Sequence, residues 1–135
     1  MLDYLDENQH VALMELLIYM AKVDGDFSDI EKEVIQQYGE LLGVDVHAVS
    51  GNRVPEELVQ QFQSPASRVA VLQELLRIAH LDGNFHRDEA DTIDDIAEMM
   101  GLPPMYVKKV DDWVQWGLNW VWQGEDLLEE AEEML

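Results

Sequence analysis

The apolar positions of this chain recur at helical spacing along most of its length. Leu13, Leu16, Leu17, Met20 and Ala21 follow the i, i+3, i+4, i+7, i+8 stripe of a helix that buries one face. Leu72, Leu75, Leu76 and Ala79 repeat that spacing. Two further stripes follow short polar turns: Ile30, Val34, Tyr38 and Leu41, then Ile93, Ile96, Ala97 and Met100. Gly43 and Gly101 stand just past them, where a helix C-terminus takes a left-handed residue. No segment alternates like a strand. The pattern predicts an all-α protein.

These stripes belong to a duplication. Shifted by 58 residues without a gap, Ala21–Val44 falls on Ala79–Leu102, and eight of 24 positions are identical, among them Asp24/Asp82, Gly25/Gly83, Glu31/Glu89 and Gly43/Gly101. Each copy reads as an apolar helix, an Asp-Gly turn and a second helix ending at glycine. The predicted fold is one domain over residues 1–135: repeat one at 10–44, repeat two at 66–102, and a C-terminal Trp-rich helical extension over 103–135. Between the copies a short helix is expected from Pro55, and Ser64-Pro65 supplies an N-cap and first-turn proline for the next helix.

Beyond Pro103-Pro104, residues 106–123 read as a helix with Val110, Trp113, Trp116 or Gly117, and Trp120 along one face. Read as core covering the helix pairs, this face predicts a cost of about 3–5 kcal/mol for Trp120→Ala. The alternative is an exposed partner or self-association surface. After Gly124, Leu127, Leu128, Ala131, Met134 and Leu135 keep a helical period among six acids. A docked or fraying amphipathic helix is expected there.

Charge changes the picture most. The chain carries 29 acids and 8 bases, a net charge of −21, with 13 acids in residues 1–67 and 16 in 68–135. Such a field repels nucleic acid and anionic lipid, and concentrates cations. With no cysteine, thiol chemistry, disulfides and thiolate metal sites are excluded. Neither a signal peptide nor a membrane span is read from the sequence, the longest apolar run being Leu16 to Ala21, so a cytoplasmic protein is expected.

The two turns run Asp24-Gly25-Asp26-Phe27-Ser28-Asp29-Ile30-Glu31 and Asp82-Gly83-Asn84-Phe85-His86-Arg87-Asp88-Glu89. The glycine-to-glutamate spacing matches the back half of an EF-hand loop. Met20 and Lys22, then Ile78 and His80, stand where its first ligands belong, so an EF-hand is rejected. Asp24 and Asp82 sit at helix C-termini, where the dipole disfavours a carboxylate by roughly 0.3–1 kcal/mol. The same disfavoured acid in both copies points to a compensating cation. Calcium or magnesium suits the oxygen set of Asp24, Asp26, Glu31, Asp82, Asn84 and Glu89. Zinc is the second choice and would recruit His80 or His86. The alternative is purely structural: Ser28 and Glu31 form a capping box, and the glycines end the preceding helices.

The pattern Ala-x-x-Asp-Gly-x-apolar-x-x-x-Glu, present twice, resembles TerB-like domains, which include tellurite-resistance TerB and a domain of membrane-anchored DnaJ-like co-chaperones. The resemblance covers roughly residues 10–102. It implies a helical domain whose two acidic turns lie close together on one face and bind metal and partners, at Asp24, Glu31, Asp82 and Glu89 here. It also implies a stress-response role among protein partners, including membrane-associated ones.

No serine sits in a G-x-S-x-G or S-x-x-K context, and no phosphate loop is present, so an enzyme is not expected. A tellurite oxyanion would have to approach against the net charge of −21. Partners are expected to be proteins. Nucleic acid and direct membrane insertion are disfavoured, and a homodimer stays open.

Overall fold

The computed structural model describes residues 4–22, 29–49, 53–81 and 87–134, with the backbone only for 29–31 and 87–88. Six α-helices follow one another: α1 (Glu7–Lys22), α2 (Asp29–Leu42), α3 (Pro55–Leu58), α4 (Pro65–His80), α5 (Arg87–Met99) and α6 (Pro104–Met134). Short 3₁₀ turns lie at Val46–Ala48 and Val59–Gln61. No strand occurs among the described residues.

The helix bounds repeat the sequence offset. Both α1 and α4 have 16 residues, and the second starts 58 residues after the first. The buried register repeats too: Leu13 and Val71, Leu17 and Leu75, Met20 and Ile78, Ile35 and Ile93 hold matched places in one core. Both second helices end alike. Gly43 and Gly101 take φ of 70° and 76°. The N–H of Val44 donates to the Gly39 carbonyl at 2.8 Å, and that of Leu102 to the Ala97 carbonyl at 2.9 Å. This is the Schellman closure, with an apolar residue directly after the glycine.

Helix starts are fixed by side chains. Asp6 Oδ1 accepts from the Gln9 N–H and Gln9 Oε1 accepts from the Asp6 N–H, both at 2.9 Å, a reciprocal capping box for α1. Ser64 Oγ accepts from the Ser67 N–H at 3.1 Å, with Pro65 opening α4.

Helix α1 packs against α2, α3, α4 and α5, while α6 packs on α4 and α5. Burial runs nearly all round α1 and α4, as central helices require. In α2 the inner face is Ile35, Tyr38 and Gly39 rather than the expected stripe ending at Leu41, which is 72% exposed. The chain after α2 folds back over Gly39, where a Cβ would meet Val46 Cγ2 at 2.6 Å. Leu41, two residues and so about 200° round the helix from Gly39, faces outward. Ile30, the first residue of that stripe, has no described side chain.

Helix α6 overturns the expected tryptophan core. Its buried residues are Val107, Val110 and Val114, with Tyr106 and Leu118 partly covered. Trp116 and Trp120 are 67% and 68% exposed, and Trp113 is exposed as well. At about 100° per residue the tryptophans lie roughly a third of a turn from the valine face. The helix also runs unbroken through Gly124 to Met134, as one element of 31 residues.

Candidate functional site

The two predicted acidic turns fall in the chain between α1 and α2 and between α4 and α5. Asp24, Asp26, Asp82 and Asn84 lie outside the described residues, as do Ser28 of the expected capping box and the question of whether the two turns share one face. Glu31 stands in the first turn of α2, with its backbone alone described. Glu89 occupies the matched place in α5, where its side chain is buried. His80 ends α4, and its Nε2 lies 2.5 Å from Asp111 Oδ1 on α6. Gln115 Nε2 donates to the other oxygen, Asp111 Oδ2, at 3.0 Å. Among the described residues no group of three His, Asp or Glu side chains is placed to hold a metal. By sequence the turns carry hard oxygen donors, the type calcium or magnesium takes.

Asp94, on α5, feels the charge of Asp111, the carboxylate bonded to His80. Partial burial pushes its carboxyl above the ordinary range, and the charges of Asp91, Asp95 and Asp111 push it further.

Two buried carboxylates escaped the sequence reading. Glu15 of α1 is gripped by Arg53, whose Nε and Nη2 donate to its two oxygens at 2.9 and 3.1 Å. The pair borders a cleft of about 630 Å³ with Leu42, Val44 and Val49 on its wall. Glu74 of α4 accepts from the Tyr38 hydroxyl of α2. Arg77 Nη2 lies 3.6 Å from Glu74, donates to the Tyr38 oxygen, and its guanidinium stacks 5.5 Å from the Tyr38 ring centre. Burial, then the bond to Glu74, pushes the Tyr38 phenol well above its ordinary value. A signal existed for Glu74. The offset of 58 sets it opposite Leu16, an acid in an apolar register. For Glu15 the signal is its place between Met14 and Leu16, in a helix apolar on most sides.

The family model described as "Tellurite resistance protein TerB" matches residues 1–54 and 46–112. The chain belongs to the TerB family. Among curated proteins and solved structures, none matches the chain significantly. The TerB match covers all of α1–α5 and stops at Asp112. The exposed tryptophans of α6 therefore lie beyond the part that defines the family. No described helix is long and apolar enough to cross a membrane.

Proposed function

We propose that this TerB-family protein is a non-enzymatic module that binds a divalent cation at its two Asp-Gly turns and serves in a cytoplasmic stress-response assembly of tellurite-resistance type. The observation that carries the reading is the repeated frame. Asp24 and Asp82 each stand two residues past the end of a 16-residue helix, 58 residues apart, in a protein of net charge −21. Calcium or magnesium is the ion of choice, since both turns offer oxygen donors whereas histidine occurs at the second alone. Zinc comes second.

Calorimetric titration of the chelator-stripped protein with calcium, magnesium, manganese and zinc tests this reading. Saturable heat for one ion is expected, abolished by D24N together with D82N. Silence for all four ions would end it. The second reading then takes its place: an adaptor or co-chaperone-like module whose acidic turns serve only as helix caps. The uncovered tryptophan face of α6 is the observation that favours it.

A further inference from the structure

Helix α6 overruns its own fold. Its 31 residues span about 46 Å, whereas α4, the helix it packs along, has 16 residues and spans about 24 Å. Beyond Leu118 no residue of α6 is buried. Yet the overhang keeps the pattern of a packed helix.

Trp113, Trp120, Leu127 and Met134 recur every seven residues, with Trp116 added at the i+3 place. This repeat supplies one of the two seam positions by which one helix receives another, the i+3 places after Trp116 being Gln123 and Glu130. All five side chains are exposed. Beside them, also seven apart, run Gly117, Gly124 and Ala131. A glycine inside a helix costs roughly 1 kcal/mol relative to alanine. Among the described residues nothing asks for either glycine, because a Cβ on Gly117 or Gly124 would have no neighbour within 4 Å. Small residues beside a bulky stripe admit the backbone of a close partner. Next to Trp113, Trp116 and Val121 an apolar groove of about 230 Å³ opens against Arg77 of α4.

Charge selects the occupant. Residues 113–124 carry no charge, whereas Glu125, Asp126, Glu129, Glu130, Glu132 and Glu133 crowd the last turns, and no base follows Lys109. A second copy would bring another −21 and the same six acids to the contact. An anionic bilayer is repelled for the same reason. We infer that the outer half of α6 receives a basic amphipathic helix of a protein partner, with apolar anchors set against the tryptophan stripe and Lys or Arg set against the acids of the last turns. Such a helix extends the line of α4 along the overhang. This inference does not depend on a cation at the turns.

The test uses the full chain and three synthetic three-heptad helices: one with Leu on the seam and Lys at the flanks, its Leu/Glu counterpart, and a Ser/Lys peptide of equal positive charge. The Leu/Lys peptide is expected to bind one to one by calorimetry and to shift tryptophan emission to the blue. Trp120→Ala should weaken it by about tenfold or more. Gly124→Leu should weaken it as well, while circular dichroism shows an unchanged fold in both variants. The Leu/Glu and Ser/Lys peptides should not bind comparably. No binding of the Leu/Lys peptide, or equal binding of the Ser/Lys peptide, overturns the proposal. So does undiminished affinity in the variants. Sedimentation showing a dimer that Trp120→Ala dissociates would assign the face to a second copy. Co-sedimentation with phosphatidylcholine vesicles would assign it to a bilayer.

Discussion

The pairs α1–α2 and α4–α5 share a frame and differ in the polar groups set into it. Leu17 and Leu75, Met20 and Ile78, and Ile35 and Ile93 fill matched places in one core. At other matched places the chemistry changes. Leu16 of the first pair gives way to Glu74 in the second, Tyr19 to Arg77, and Tyr38 to Ile96. Tyr38, from the first pair, donates its hydroxyl to Glu74 in the second. One pair thus carries the donor and the other the acceptor. This exchange gives the contact between α2 and α4 a polar bond with one partner on each side. A repeated scaffold supplies the core, and the departures from repetition tie its halves together.

The two buried carboxylates break this comparison most sharply. Among the described residues Glu15 is held by Arg53 alone, through a two-pronged bond. Glu74 has Tyr38 and Arg77. Removing Arg53 leaves a buried carboxylate relieved only by water in the adjoining cleft, so Arg53→Ala should cost about 2–3 kcal/mol. Arg77→Ala leaves the tyrosine bond in place and should cost about 1 kcal/mol. Urea melts of both variants measure the difference. Equal losses would show that Tyr38 gives Glu74 no independent support.

Much of this frame was legible before any coordinates. The offset of 58, the N-cap at Ser64 and the left-handed glycines at 43 and 101 all follow from local chemistry, because caps and apolar stripes need only their neighbours in sequence. The candidate acids were legible as a repeat, though Asp24, Asp26 and Asp82 lie outside the described residues. The tryptophan helix was misread for a specific reason. A helical period identifies a face, but not which of two adjoining faces a neighbour covers, here the valine face, nor how far along the helix that neighbour reaches. Here α4 stops while α6 continues. The Glu15–Arg53 and Glu74–Tyr38 bonds join residues 38 and 36 positions apart, beyond the reach of any local pattern.

The tether between the halves carries an alkaline signature. Burial and Glu74 raise the Tyr38 phenol above its ordinary value of 10.0, so the fold holds it neutral where the unfolded chain would ionise it. This contribution is complete below pH 10.0, the unfolded value, and is lost as pH climbs through the folded value. Tyr38→Phe removes both the bond to Glu74 and the titration, at a cost of about 1 kcal/mol near pH 8. That deficit should shrink by up to about 1.4 kcal/mol per pH unit above 10, because only the protein with Tyr38 loses this stability. Paired melts near neutral and strongly alkaline pH decide it. A deficit that stays constant across the range would mean the phenol ionises alike in the folded and unfolded chains.

The smallest effect concerns the outer faces of α2 and α5. The first pair has Gln36 and Gln37 where the second has Asp94 and Asp95. Burial, then Asp91, Asp95 and Asp111, disfavour the charge on Asp94, so its carboxyl titrates above the ordinary range. A raised carboxyl favours folding only while both states keep the proton. Its contribution is complete below the unfolded value of about 3.9 and is lost as pH rises through the folded value. At neutral pH the wild-type protein therefore works against its own Asp94. Asp94→Gln, which copies the first pair into the second, should raise the melting temperature at neutral pH by an amount equivalent to less than about 1 kcal/mol, since the side chain is solvated and screened. The gain should fade below about pH 4, where the carboxyl is protonated in both states. It should also narrow at about 1 M salt, where the screening length falls to about 3 Å. A variant that melts at or below wild type at neutral pH would show that Asp94 has a favourable partner there, and that the acids of α5 are set against one.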